Sequence, residues 1–234
     1  MISQPVLFTF VSVSNPENLF RTPAANPRHW LLEPDLLFLN HGAFGACPRP
    51  VLRFQNEWRM RIERQPVQFL VREMEKGLDV AREVLARFVG AEMDDLAFVP
   101  NATCGINAVL RSLPFQRGDE LLVTDHEYNA SRNALDFVAN RSGARVVVAP
   151  IRFPFQSEEE IIAPILDRVT RRTKLVLVDH VTSQTGIVLP VGKIVKALRA
   201  RGVDTLVDGA HAPGMVPVNL RKLGATYYSG NCHK

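Results

Sequence analysis

The chain has 234 residues, enough for one α/β domain with a substantial core and parts of a second domain. Its composition, 46% hydrophobic and 22% charged, excludes collagen-like, disulfide-rich and intrinsically disordered classes. The formal net charge of +4 is spread over Arg-rich stretches such as 59–64 and 168–172, so nucleic acid is not an expected partner.

The N-terminal residues and the cysteines indicate where the protein works. The apolar start at 6–13 has no Lys or Arg before it and is shorter than the ~20 residues that a membrane helix needs. Four prolines between residues 14 and 35 predict an extended arm over 1–35. Cys47, Cys104 and Cys232 lie far apart without a CxxC pair, which is typical of a reducing compartment. We therefore expect a cytoplasmic protein without a membrane partner.

The segment 36–94 predicts one short strand and two helices. Residues 36–39 are an apolar run typical of a strand, and a glycine turn follows at 42–45. Residues 48–63 and 69–89 have helical spacing, and in the second helix the apolar positions form one stripe: Leu70, Met74, Leu78, Ala81, Leu85 and Phe88.

From residue 95 onward, short apolar runs alternate with helical stretches. The predicted strands are 96–99, 121–124, 145–148, 174–179, 205–208 and 226–229. Such alternation predicts an α/β fold with a mainly parallel sheet and helices on both faces. Ligands of these sheets bind at the carboxyl ends of the strands, so functional residues are expected directly after each strand.

The strand at 96–99 leads through a loop of small residues, 100–105, directly into an amphipathic helix. A helix N-terminus binds anions because its free N–H groups and its positive dipole end point to the same place. Thr103 is therefore a candidate phosphate ligand. The alternative is that Thr103 only caps the helix, which is a common use of threonine.

Three further candidates follow the last two strands. Asp208 ends a strand and could pair with a protonated pyridine nitrogen. Lys234 follows a strand through a short polar loop and could form a Schiff base with an aldehyde. The structural alternatives are an aspartate that caps the next turn, a buried structural role for His211, and a solvated lysine.

Two loops at the same expected edge of the sheet carry the remaining candidates. Tyr128 follows the strand at 121–124 and could lie on the face of a planar ring, or it could be a half-buried core residue. Ser183 lies in a polar loop after the strand at 174–179, where a hydroxyl could reach a ring substituent. A loop rich in turn-forming residues is the alternative interpretation.

Together these motifs resemble the class V aminotransferase family of pyridoxal-phosphate (PLP) enzymes, and within it the isopenicillin N epimerase-like branch. The matching segments, in chain order, are 40–48, 101–103, 125–128, 179–183, 208–214 and 233–234. The resemblance extends over residues 36–234 and implies the PLP-dependent transferase fold type I. Residues 95–234 would be its large domain, and 36–94 an N-terminal segment with helices at the entry to the small and large domains.

The resemblance also implies roles around the ring of the cofactor, pyridoxal 5'-phosphate. Lys234 would carry PLP as a Schiff base and then remove the α-proton of an amino-acid substrate. Asp208 would pair with the pyridine nitrogen, with His211 approaching from the same side. Tyr128 would stack on the ring, where relatives often place a histidine, and Ser183 would stand near the phenolic oxygen, where several relatives carry asparagine.

The phosphate of the cofactor would be bound at the helix N-terminus and at the end of the chain. The resemblance implies backbone and hydroxyl donors from Ala102 and Thr103, and Asn231 and His233 would complete that site. No metal site is implied.

The resemblance further implies that the family's chain continues beyond Lys234, so we expect an incomplete large domain and an absent C-terminal small domain. The full-length protein would be a homodimeric PLP enzyme acting on an amino acid, as an epimerase, transaminase or lyase. This fragment alone would be inactive, and an inert truncated homologue is the alternative. A nucleotide-binding domain is the weakest hypothesis, because the sequence has neither G-x-G-x-x-G nor a P-loop motif.

Overall fold

The structure, a computed structural model, describes residues 27–234. Most of the predicted extended arm, residues 1–26, lies outside the described residues. The described remainder begins with a short 3-10 turn, Pro27–His29, and is irregular from there to residue 48 apart from turns. Trp30 fixes this segment, because its indole N–H donates to Ala46 O at 3.1 Å and its carbonyl accepts from Arg49 at 3.0 Å.

Two long helices form the N-terminal part of the structure. Helix α1 is Arg49–Arg64, and a π-helical turn, Gln68–Glu73, leads into α2, Met74–Val89. The predicted single helix over 69–89 is thus divided. The helices meet where the rings of Trp58 and Phe69 lie edge to face at 5.4 Å. Gly77 permits this contact, because a Cβ there would lie 2.7 Å from the Trp58 ring.

One prediction in this segment is wrong. Within residues 27–234 no strand lies beside residues 36–39 to complete a hydrogen-bonded ladder, so they form no strand, and most of them are exposed. Part of the apolar stripe of the second helix is exposed in the structure, at Leu70, Leu78 and Phe88. The packing of α2 uses Ala86 and Val89 instead, which lie beside the stripe.

The centre of the structure is a five-stranded sheet with the order β2-β1-β3-β4-β5. All four pairings are parallel, as the sequence predicts. The strands are β1 Glu120–Thr124, β2 Arg145–Ala149, β3 Thr173–Asp179, β4 Asp204–Gly209 and β5 Tyr227–Gly230. The three central strands β1, β3 and β4 are almost entirely buried, because apolar side chains leave both of their faces, which is typical of a sheet covered on both sides.

Helices cover both faces of this sheet, which confirms the predicted fold class. On one face, helices α3 and α4 pack on Leu121, Val123 and Leu177. On the other face, helices α5 and α6 pack on Leu122, Val176 and Val207. The helices are α3 Ala102–Ser112, α4 Asn129–Ser142, α5 Glu159–Leu166, α6 Val191–Arg199 and the short α7 Leu220–Leu223.

The prediction of a strand at 96–99 is also wrong. Its backbone is extended at Leu96, but within residues 27–234 no strand pairs with this segment. An apolar extended segment without a ladder partner does not count as a strand, so the sheet contains five strands instead of six.

None of the helices in the described range combines the length and apolar character needed to cross a membrane.

Candidate active site

Asp208 lies at the carboxyl end of β4, at the centre of the edge where the sequence places the site. The residue is buried, and both carboxylate oxygens accept hydrogen bonds. Ser131 Oγ donates to Oδ2 at 2.7 Å, and the Ala210 N–H donates to Oδ1 at 3.0 Å. Two donors hold the carboxylate in one orientation.

Lys234 and His211 meet beside Asp208. The amine Nζ of Lys234 lies 3.2 Å from Nε2 of His211. Partial burial lowers the pKa of the Lys234 amine below its ordinary value, although the charge on Asp208 opposes this shift. Burial and the neighbouring Lys234 also lower the pKa of His211. A lysine with a lowered pKa has more neutral amine at neutral pH, which is the form that attacks a carbonyl carbon.

The N-terminus of α3 contacts the end of β5 through Ala102. The Ala102 N–H donates to Asn231 Oδ1 at 2.8 Å, and Ser229 Oγ donates to Ala102 O at 2.8 Å. The next N–H along the helix, that of Thr103, has no hydrogen-bond partner among the described residues, and neither does its hydroxyl. Thr103 therefore keeps two free donors at the positive end of a helix dipole.

Glycines allow close packing around this edge. A Cβ on Gly105 would lie 2.3 Å from Ser229 Oγ, so only glycine lets α3 approach β5 this closely. A Cβ on Gly45 would lie 2.3 Å from the carbonyl oxygen of His233, and one on Gly42 would lie 3.3 Å from Met215. The glycine turn at 42–45 thus packs against the same edge that holds Lys234.

The remaining predicted residues lie on loops at this edge. Tyr128 is the N-cap of α4 and lies one turn before Ser131, on the same side of the helix as this residue, which binds Asp208. It is 42% exposed, which leaves its ring free for a contact. Ser183 is exposed in a turn after β3 that is closed by the Thr182 hydroxyl. The side chains of Ser183 and His233 make no hydrogen bond within residues 27–234.

Three residues of this site received no role from the sequence. Ser131 belongs to none of the matched motifs, and a serine in a helical stretch is typical of an exposed position. Glu127 and Asp179 lie inside matched motifs, but a carboxylate after a strand usually belongs to a turn. In the structure both are buried beside Asp208, and the three carboxylates lie within 4.8 Å of one another. Residue register was the missing information, because β3 and β4 pair Asp179 with Asp208.

Comparison with known proteins identifies similar chains. The family model described as aminotransferase class-V matches residues 48–234. Isopenicillin N epimerase of Amycolatopsis lactamdurans is 38% identical over 219 aligned residues, covering 91% of this chain and 54% of that protein. A probable chloroplastic L-cysteine desulfhydrase of Arabidopsis thaliana is 34% identical, covering 86% of this chain and 46% of that protein. The chain spans about half the length of these relatives.

Solved structures share the fold. A mutant of C-DES with glycine covalently linked to its PLP cofactor matches with a TM-score of 0.81 at 24% identity. That match covers 91% of this chain and 56% of the other. A complex between the cystine C-S lyase C-DES and its product cysteine persulfide matches with a TM-score of 0.77 at 26% identity, covering 84% of this chain and 53% of the other.

Proposed function

We propose, because this chain belongs to the class-V aminotransferase family, that it supplies the cofactor site of an enzyme acting at the α-carbon of an amino acid. The cofactor of this group is pyridoxal 5'-phosphate. The observation that carries the proposal is the convergence of Asp208, Lys234 and the free donors of Thr103 at one edge of the sheet.

The residues present fit PLP in three respects. Asp208 is a buried carboxylate whose orientation is fixed by Ser131 and Ala210, as an acceptor for a protonated ring nitrogen requires. Thr103 offers an unpaired N–H and a hydroxyl to a phosphate at the start of a helix of 11 residues. Lys234 offers an amine with a lowered pKa for an aldehyde.

In our proposal Lys234 is the catalytic residue. When bound, PLP withdraws electrons from the α-carbon of an amino acid joined to it, which weakens the bond to the α-proton. Lys234 Nζ accepts and returns that proton, since its lowered pKa favours the neutral amine. His211, at 3.2 Å, hydrogen-bonds the same nitrogen and orients it. Asp208 keeps a proton on the ring nitrogen through its negative charge.

We assign the other site residues to binding. Thr103 donates to the phosphate, while Ala102 and Asn231 hold the turn through the bond that already occupies the Ala102 N–H. His233 is placed to complete the phosphate site from the end of the chain. Tyr128 stacks on the ring from the N-terminus of α4, and Ser183 approaches the phenolic oxygen from its loop. The cytoplasmic location and the homodimer of the full-length protein belong to the same proposal.

The relatives do not agree on one reaction, since one is named an epimerase and another a desulfhydrase. Their shared requirement, under this proposal, is removal of an α-proton. Exchange of the α-proton with solvent deuterium tests that step without choosing a product. The full-length protein with PLP is expected to exchange the α-proton of at least one amino acid in a panel, measured by proton NMR.

Two lysine variants separate the site from background. Lys234→Ala is expected to abolish exchange, because it removes the amine that carries the proton. Lys222→Ala is the matched control, since Lys222 is an exposed residue of α7 outside the site. Equal exchange in both variants would contradict the role of Lys234. No exchange with any amino acid in the parent protein would contradict the proposal and favour a catalytically inert homologue.

A further inference from the structure

Three carboxyl groups form a buried cluster beneath the candidate cofactor site. Glu127 follows β1, Asp179 ends β3 and Asp208 lies near the end of β4, all within 4.8 Å of one another. Each residue is at least nine-tenths buried. Three negative charges this close and shielded from water would repel one another strongly, so the cluster must hold protons or a cation.

The hydrogen bonds of the cluster are distributed unequally. Both oxygens of Asp208 accept from donors, Ser131 Oγ and the Ala210 N–H. Among the described residues, both oxygens of Glu127 and Oδ2 of Asp179 are buried without a hydrogen-bond partner. A buried anion without donors is costly, whereas a neutral carboxylic acid carries its own donor. The negative charge is therefore best accommodated at Asp208.

The pKa shifts of Glu127 and Asp179 agree with this distribution of hydrogen bonds. Burial, followed by the charges of Asp179 and Asp208, raises the pKa of Glu127 well above its ordinary value. Burial and the charge on Asp208 raise the pKa of Asp179 to about 8. The other titratable groups near Asp208 are His211, Tyr228 and Lys234.

We propose that Glu127 and Asp179 are positioning residues held as neutral carboxylic acids, so that the cluster bears one negative charge and presents it on Asp208. This inference rests on the proposed role of Asp208 as the partner of the ring nitrogen. Two stored protons keep the site's charge matched to a single protonated nitrogen. A cation is the less suitable occupant, because Ser131 and Ala210 already direct donors at the Asp208 oxygens that it would need.

Infrared spectroscopy of the full-length protein tests the proposal, because a protonated carboxyl group has a C=O band that ionised carboxylates lack. At pH 7 the Glu127→Gln and Asp179→Asn variants are each expected to lose one such band relative to the parent protein. Glu120→Gln is the matched control. Glu120 is buried too, but the hydrogen bond from Thr170 and the ion pair with Arg145 hold the pKa of its carboxyl group below the ordinary value, so no band should be lost.

The parent protein provides a test that needs no variant. The band assigned to Asp179 should fade as the pH rises through about 8, the pKa of that group. Loss of a band in only one variant, or in neither, would overturn the two-proton assignment. Bands that appear only after treatment with a chelator, and disappear with added Mg²⁺ or Mn²⁺, would overturn it in favour of a cation. Because these bands are measured without substrate or cofactor, their absence is distinguishable from failure of Lys234 to bind PLP.

Discussion

Replacement of Ser131 by alanine is the most direct perturbation of Asp208 that leaves the carboxylate itself in place. The lost bond joins Ser131 Oγ to Asp208 Oδ2 at 2.7 Å, and both residues are buried. A hydrogen bond to a charged group contributes about 1.5–3 kcal/mol, and no water replaces it in a buried site. We therefore expect Ser131→Ala to lower the free energy of unfolding of the cofactor-free protein by about 2 kcal/mol, measured by urea denaturation.

A double-mutant cycle identifies the charge as the cause. In an Asp208→Asn background the carboxylate is gone, so Ser131→Ala should cost about 1 kcal/mol less than it does in the parent protein. Ser112→Ala is the matched control, because this exposed hydroxyl donates only to the Ala108 carbonyl of its own helix, and its loss should cost less than about 0.5 kcal/mol. Equal costs for both serines, or strict additivity in the cycle, would refute the reasoning.

Three other measurements test separate parts of the structure. Asp179→Asn should flatten the pH dependence of the free energy of unfolding. Because the pKa of Asp179 is raised to about 8 in the folded protein, its carboxyl group stabilises the fold fully below about pH 4, and this contribution, on the order of 5 kcal/mol, is lost as the pH rises to 8. Parallel stability curves for the variant and the parent protein would contradict this. Gly105→Ala should destabilise the fold by about 1–3 kcal/mol, because the new Cβ would lie 2.3 Å from Ser229 Oγ, whereas Gly192→Ala, with open space around its Cβ, should not. Similar melting curves for the two variants would contradict the predicted clash. Reductive methylation, followed by mass spectrometry over a series of pH values, should modify Lys234 at lower pH than Lys193, whose pKa is raised by an acidic partner. The reverse order would be inconsistent with the lowered pKa of Lys234.

The sheet could be predicted because its signal is local. Each of β1 to β4 contains a short run of β-branched and aliphatic residues, and the helical stretches between the strands require parallel pairing. The same signal failed at 36–39 and 96–99, where an apolar run has no strand to pair with in the described part of the chain. Whether an apolar segment becomes a strand depends on a partner elsewhere in the chain, which local pattern does not contain.

The site illustrates the same limit. Lys234, Asp208 and Thr103 were predicted because each follows a strand or begins a helix, which places them at one edge. The cluster of Glu127 with Asp179 was not predicted, because it depends on which strands are neighbours and on their register. The bond between the Ala102 N–H and Asn231, 129 positions away in the chain, is another contact that no local pattern reveals.

The central claim is that Lys234 is the residue that binds PLP covalently. Borohydride reduction of the PLP-loaded full-length protein, followed by peptide mass mapping, tests it directly. We predict one pyridoxyl group per chain, on the peptide that contains Lys234, and none in Lys234→Ala. Attachment to a different lysine, or no attachment at all, would contradict the account.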